Sequence, residues 1–252
     1  MCKLLIFGGT TEGRLLAEFC TEHNISADVS VTTDRAAELL PDCECIGILN
    51  GKLDRAEMRS LLAGKKYRMA IDATHPYAVE ATRNITSACN AAGIPYYRLL
   101  REQSADISGT TFGCLEEIIK YLNSSDKIIL STLGSKELYA LAGVRGHSGR
   151  VWARLLPAEG ILEKCRLLGF DEKRIITASP PFSVEENIKH IKLSGAEILV
   201  TKESGAAGGY PEKAEAAREC GAELVTLLRP KETGYTPEQI RKIVMEIKEW
   251  ST

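Results

Sequence analysis

Apolar positions along this 252-residue chain follow two rhythms that alternate from end to end. Short unbroken runs, such as Leu-Leu-Ile-Phe ending at Phe7, give way to stretches where apolar residues return every three or four positions, as at Leu15, Leu16 and Phe19. An unbroken run marks a strand buried on both faces, and the three-to-four spacing marks a helix packed along one stripe. The pattern predicts strands at Ala27–Thr32, Ile46–Leu49, Met69–Ala73 and Tyr96–Leu99. Between them lie helices marked by Ala36, Leu39 and Leu40, by Met58, Leu61 and Leu62, and by Val79, Ile85, Ala88 and Cys89. Gly93 stands where a helix C-cap glycine belongs.

Gln103–Gly113, rich in Ser, Asp, Gly and Thr, breaks the rhythm and reads as a boundary. Beyond it the same grammar returns, with strands expected at Lys127–Thr132, Val151–Leu155, Arg174–Thr177, Glu197–Thr201 and Glu223–Leu228. A closing helix, Pro237–Trp250, carries Ile240, Ile243, Val244 and Ile247 on one stripe. Strictly alternating strands and helices imply parallel sheets covered on both faces, so the fold class is α/β with two Rossmann-like domains. Residues 1–104 form the first and 105–252 the second, with the last helix, 236–250, free to pack back on the first.

Composition narrows the function classes. Hydrophobic residues at 44%, charged residues at 26% and a net charge of −2 describe a globular protein with no global basic surface for nucleic acid or membrane. No apolar stretch nears the roughly 20 residues that span a bilayer. The N-terminus lacks the build of a signal peptide, so a cytoplasmic protein is expected. Eight cysteines are scattered without a C-x-x-C. Cys43 and Cys45 are the only close pair, and no metal or redox site is expected.

Candidate chemistry falls just after strands, where open α/β sheets bind ligands. Gly8-Gly-Thr-Thr-Glu-Gly-Arg14 joins the first strand to a helix, and glycines there let the backbone approach an anion at the helix N-terminus. The glycine spacing departs from G-x-G-x-x-G, so a phosphate site and a structural βα turn both stand, with phosphate favoured. Thr10 and Thr11 add hydroxyls, and Glu12 must turn away from a pyrophosphate, toward a ribose or Arg14. Arg35, after the second strand, suits a 2′-phosphate and modestly favours NADP over NAD, while Asp34 beside it blurs the choice. Asp72-Ala-Thr-His-Pro-Tyr77 reads either as helix capping by Thr74 or His75, or as a loop placing His75 and Tyr77 at a nicotinamide or substrate. Thr201-Lys-Glu-Ser-Gly205 offers Lys202 and Ser204 to a carboxylate or as proton donors, against a plain flexible connection. Thr132-Leu-Gly-Ser135 is the weaker anion candidate.

Taken in order, these segments resemble the precorrin-6A reductase family of cobalamin biosynthesis. The resemblance rests on Leu5–Arg14, Ile71–Ala78, Gly93–Arg98, Pro181-Phe-Ser183, Leu199–Gly205 and Lys213–Ala217. Membership implies two α/β domains with a cleft between them, and a reduced nicotinamide cofactor, NADPH with NADH possible. It also implies reduction of one carbon–carbon double bond of a tetrapyrrole rich in carboxylates. Gly8, Gly9, Thr10, Thr11, Glu12, Arg14, Arg35, Thr74 and His75 then bind the cofactor, and Tyr77, Lys202, Ser204 and Gly205 the substrate. Lys202, Ser204 and His75 are the expected catalytic groups. The many thiols lean weakly toward the cobalt-containing substrate. Pro181 stands where the family more often has glycine. Two rival readings fit the residues less well. A short-chain dehydrogenase needs Tyr-x-x-x-Lys, and Tyr210 and Lys213 are one residue too close; a non-catalytic NADP sensor would need the glycine turn but not Lys202 or Ser204.

Overall fold

The computed structural model describes residues 3–101 and 107–249. The domain boundary expected at 104/105 lies outside the described residues, as do Cys2 and Trp250. From the start, β1 (Lys3–Phe7), α1 (Thr11–Glu22), β2 (Ala27–Val31), α2 (Asp34–Glu38), β3 (Ile46–Asn50), α3 (Arg55–Gly64), β4 (Tyr67–Asp72), α4 (Val79–Ala92) and β5 (Tyr96–Arg98) follow in strict alternation. Then come β6 (Thr110–Phe112), α5 (Leu115–Leu122), β7 (Ile129–Ser131), α6 (Leu138–Leu141), α7 (His147–Arg150), β8 (Val151–Leu155), α8 (Ile161–Leu167) and β9 (Ile175–Thr177). The chain closes with α9 (Val184–Ser194), β10 (Ile198–Lys202), α10 (Tyr210–Cys220), β11 (Glu223–Leu227) and α11 (Pro237–Glu249).

Two compact units result: Met1–Glu102 with Lys231–Thr252, and Gln103–Pro230. In the first, five parallel strands take the order β3-β2-β1-β4-β5. Alternate residues of β1 feed opposite layers. Leu4 and Ile6 pack with Leu16, Ala17 and Cys20 of α1 and with Ile240 and Val244 of α11. Leu5 and Phe7 pack with Met58 and Leu62 of α3 and Ile85 and Ala88 of α4. Burial on both faces is why the run is unbroken in sequence. Beyond β5 the sheet is extended by one parallel bridge, Leu99 to Tyr235, so the returning segment completes the unit that the N-terminus begins.

The second sheet, all parallel, reads β6-β11-β10-β7-β8-β9. Taken from its other end, β9-β8-β7-β10-β11 repeats the winding of the first, with β6 added at the edge. The short strand β6 lies inside the segment read from sequence as a boundary. Its Thr-Thr-Phe carries too little apolar pattern to announce a strand, and only pairing with Val225–Leu227 makes it one.

Gly93 caps α4 in the left-handed conformation (φ 65°), as its position in sequence predicts. The other end of α4 departs from expectation: the helix starts at Val79, with Ala78 as N-cap and no side-chain cap. Thr74 and His75 therefore cap no helix. Cys43 and Cys45 bring their sulfurs to 2.8 Å, and the hydrogen bond from Cys45 holds the Cys43 thiol below its ordinary range. Burial pushes Cys20 up to about 12 and Cys89 up to about 11. Because the thiolate is the nucleophile, iodoacetamide near neutral pH should alkylate Cys43 well before Cys20 or Cys89, as read by peptide mass mapping. Equal labelling of the three would contradict this ordering.

Candidate functional site

Each sheet has a point where successive strands leave in opposite directions, β1/β4 in the first and β7/β10 in the second. A crevice opens at such a point beyond the strand ends. All four polar segments picked out in sequence emerge there. Gly8–Arg14 leaves β1 and Asp72–Tyr77 leaves β4, while Thr132–Ser135 leaves β7 and Lys202–Gly205 leaves β10.

In the first unit the glycine turn is shaped by contact and by open space. A Cβ on Gly13 would meet the Gly8 Cα at 3.0 Å, so Gly13 lets α1 start against the strand. Gly9 has φ +88° and nothing within 4 Å of where its Cβ would stand. Bare backbone beside the start of a 12-residue helix fits an anion such as a pyrophosphate. Thr10 is the N-cap, accepting from Gly13 N at 3.2 Å and donating to Ala73 O at 2.6 Å. Its hydroxyl proton thus ties the turn to the end of β4. Thr11 is exposed on the first turn of α1.

The Glu12 conflict resolves on an unforeseen partner. Glu12 takes a 2.7 Å ion pair from Arg101, both largely buried, whereas Arg14 pairs with Glu18 along its own helix. Burial pushes the Glu12 carboxyl up, but the Arg101 hydrogen bond and charge outweigh it and hold it below the usual range. At the end of β2, Asp34 accepts from Asn50 at 2.6 Å and Arg35 lies exposed beside it.

Asp72 organises the β4 loop. Its Oδ1 accepts from Thr74 N (2.9 Å), Thr74 Oγ1 (2.7 Å) and Arg98 Nη1 (2.8 Å), and its Oδ2 from the Tyr96 hydroxyl at 3.0 Å. Arg98, 4% exposed, also pairs with Glu232 at 2.7 Å. With Thr74 held this way, the next residues project past the strand. His75 Nδ1 accepts from Tyr77 N at 3.3 Å, which assigns the neutral ring proton to Nε2. The His75 and Tyr77 rings stand 5.6 Å apart, both half-buried.

The second unit repeats the device. Glu203, 1% exposed and just past β10, is clamped by Arg229, just past β11, with Nη2 to Oε1 at 2.8 Å. Asp72 and Arg98 hold the corresponding places at the ends of β4 and β5. Glu203 also accepts from Gly205 N at 3.1 Å, and Ser204 Oγ donates to Gly208 O at 3.0 Å. Lys202, 15% exposed, pairs with Glu137 at 2.7 Å, joining the β10 and β7 loops. Gly134 is followed by a three-residue 3-10 turn and the four-residue α6, so no long helix stands behind Thr132–Ser135, whose Thr132 hydroxyl donates to Val200 O at 3.1 Å. Asp72, Arg98 and Glu203 sit inside segments picked out in sequence but with no role assigned to them there, and Arg101 and Arg229 lie outside every such segment. Their one signal is an acid or arginine at the C-terminal end of a buried strand. Among the described residues no cluster of three or more His, Cys, Asp or Glu could hold a metal ion.

These features define a two-unit Rossmann-like protein with polar loops gathered at the strand ends of each unit. A sequence model of the family described as Precorrin-6x reductase CbiJ/CobK matches residues 3–249, and the chain belongs to that family. It is 32% identical over 232 residues to a cobalt-precorrin-6A reductase of Priestia megaterium, covering 90% of this chain and 91% of that one. Identity to the cobalt-precorrin-6A reductase of Salmonella typhimurium is 30%, over 90% of this chain and 87% of the relative. A solved structure titled CobK precorrin-6A reductase superposes with TM-score 0.76 at 22% identity, over 98% of this chain and 97% of that one, and it shares the fold.

Proposed function

We propose that this chain reduces one carbon–carbon double bond of cobalt-precorrin-6A in cobalamin biosynthesis, with NADPH as the reductant. Family membership carries the reaction class. Relatives at 30% identity and above bear the cobalt-precorrin name, whereas the precorrin-6A reductase of Sinorhizobium stands at 23%, which favours the cobalt-containing substrate. Arg35 favours NADPH, because Asp34 is engaged by Asn50 and a cation stands exposed after β2. The bare backbone at Gly9 fits the pyrophosphate of such a cofactor.

Bound, a reduced nicotinamide supplies a hydride. The chain's own residues then do the binding and the proton chemistry. Gly8, Gly9 and the first turn of α1 hold the phosphates, and Thr10 keeps that turn locked to β4. His75 presents Nε2–H beyond Thr74, with Tyr77 beside it. In the second unit Lys202 is fixed by Glu137, and a compact ammonium held there suits a carboxylate or the delivery of a proton. Ser204 gives its hydroxyl proton to Gly208, so it serves as an acceptor that shapes the loop and Lys202 or His75 supplies the proton.

Anaerobic NADPH oxidation with cobalt-precorrin-6A and with its metal-free counterpart, beside NADH, tests the reading. The expected result is oxidation coupled to a dihydro product, faster with the cobalt substrate and with NADPH. Lys202→Ala should lower kcat/KM by about 10²-fold, within the range for a lost general acid. NADPH binding with no turnover of either macrocycle would point instead to a sensor.

A further inference from the structure

The turn that leads into β3 holds chemistry that the reading above does not use. Without a C-x-x-C the sequence argues against a redox pair, yet Cys43-Glu44-Cys45 folds so that its two sulfurs stand 2.8 Å apart. That gap exceeds the S–S bond length of about 2.05 Å by less than about 1 Å. The backbone on either side is already pinned. Cys43 O accepts from Ile46 N at 2.9 Å, and Cys45 O accepts from Ala27 N at 3.0 Å, which ties the second cysteine to β2. Joining the sulfurs therefore asks for side-chain rotation and little movement of the chain. Glu44 is exposed and both cysteines are half-buried, so a small reagent reaches the pair from solvent.

The plain alternative is packing. Both cysteines lie against the core layer that holds Cys20 and Ile46, and a free thiol commonly serves as a small hydrophobe. What surrounds the sulfurs separates the two readings. Cys43 Sγ accepts from Cys45 N at 3.4 Å and from the Cys45 thiol, and the Thr21 hydroxyl of α1 stands beside both sulfurs. Donors aimed at a sulfur stabilise its thiolate and do nothing for an apolar filler. An asymmetric pair results. Hydrogen bonds from Cys45 hold Cys43 below the ordinary thiol range, whereas burial, and then the bond given to Cys43, push Cys45 up. Cys20, fully buried in the same layer, is pushed up to about 12, by burial first. A thiolate with a protonated thiol in reach of the same sulfur is the arrangement of an attacking and a resolving cysteine.

We propose that Cys43 and Cys45 form a thiol–disulfide exchange site that takes low-molecular-weight disulfides and closes reversibly to an internal disulfide. The Cys43 thiolate attacks one sulfur of the incoming disulfide, whose S–S bond breaks, and the first half leaves as a thiolate that takes up a proton. Cys45 then loses its proton to solvent and attacks the Cys43 sulfur. The mixed disulfide breaks, and the second half leaves and is protonated in turn. Two protein thiols are oxidised and one disulfide is reduced to two thiols. A ring closed over one intervening residue constrains the unfolded chain little, so the bond serves exchange and not stapling. The pair stands at the starts of β2 and β3, at the opposite end of that sheet from Gly8–Arg14 and Asp72–Tyr77, so its chemistry is independent of the cofactor reading.

The test incubates the reduced full chain with glutathione disulfide, quenches with acid, blocks remaining thiols with N-ethylmaleimide and maps the tryptic peptides by mass. Peptide 36–52 carries both cysteines, and Cys20 falls in peptide 15–35. In wild type, peptide 36–52 should become lighter by two hydrogen atoms and escape blocking. Excess reduced glutathione should return it to two blocked thiols. Cys45→Ser should stop at one glutathione on Cys43, and Cys43→Ser should react at Cys45 at least about tenfold more slowly. Should either variant fail to fold, the wild-type map still decides. The proposal is overturned if peptide 36–52 keeps both thiols, if wild type stops at the mixed disulfide, or if peptide 36–52 is found joined to 15–35. It is equally overturned if the two serine variants react at the same rate. A disulfide in peptide 36–52 that excess reduced glutathione leaves in place also overturns it, since that bond is a staple.

Discussion

Arg98→Met should lower the unfolding free energy by about 3–5 kcal/mol and take cofactor binding with it. Asp72 has no exposed surface and Arg98 only 4%. Removing the guanidinium leaves a carboxylate in the interior with hydroxyl and amide donors but no cation, the case in which a broken buried pair costs most. The damage reaches the site by a short path. Arg98 Nη1 also donates to Asp72 O and Thr74 Oγ1, both at 3.2 Å, so the β4 loop that carries His75 and Tyr77 loses its anchor. Urea unfolding followed by fluorescence and NADPH titration below the transition would measure both. A change under about 1 kcal/mol with unchanged NADPH affinity would show that the pair neither holds the unit nor sets the loop. The double variant Asp72→Asn/Arg98→Met should recover part of the stability, since it removes both charges.

Gly9→Val should leave the fold intact and weaken NADPH binding by more than about tenfold. The φ of +88° alone costs a β-branched residue about 1–3 kcal/mol, and each 1.4 kcal/mol felt at the site is a factor of ten. Nothing lies within 4 Å of the missing Cβ, so the new Cβ meets no protein atom and the methyls beyond it enter the space assigned to the phosphates. Gly13→Val gives the contrast. There the Cβ would stand 3.0 Å from the Gly8 Cα, so the cost falls on packing and the thermal midpoint should drop. Normal NADPH affinity in a folded Gly9→Val protein would remove the turn from the cofactor site.

What was legible in sequence was whatever depends on neighbours along the chain. Leu4 to Phe7 form an unbroken run because alternate residues enter two different layers, and Ile240 with Val244 marks the buried stripe of α11. The polar segments were findable because strand ends are visible as the points where such runs stop. Pairings across the sheet were not. Arg98 reaches Asp72 only because β5 lies beside β4, Glu12 meets Arg101 across 89 positions, and Arg229 meets Glu203 because β11 lies beside β10. No local pattern encodes those meetings. Strand β6 was hidden for a related reason, since its three residues gain their conformation from an edge and not from their own apolarity.

The return of residues 231–249 to the first unit has a consequence for how the protein is made. On the ribosome, residues 103–230 are all present before Tyr235 extends the first sheet or Ile240 and Val244 reach its core. The segment synthesised second is therefore able to finish folding first, while the earliest hundred residues wait with one apolar layer uncovered. A nascent chain stalled short of α11 should carry a protease-resistant second half and a digestible beginning.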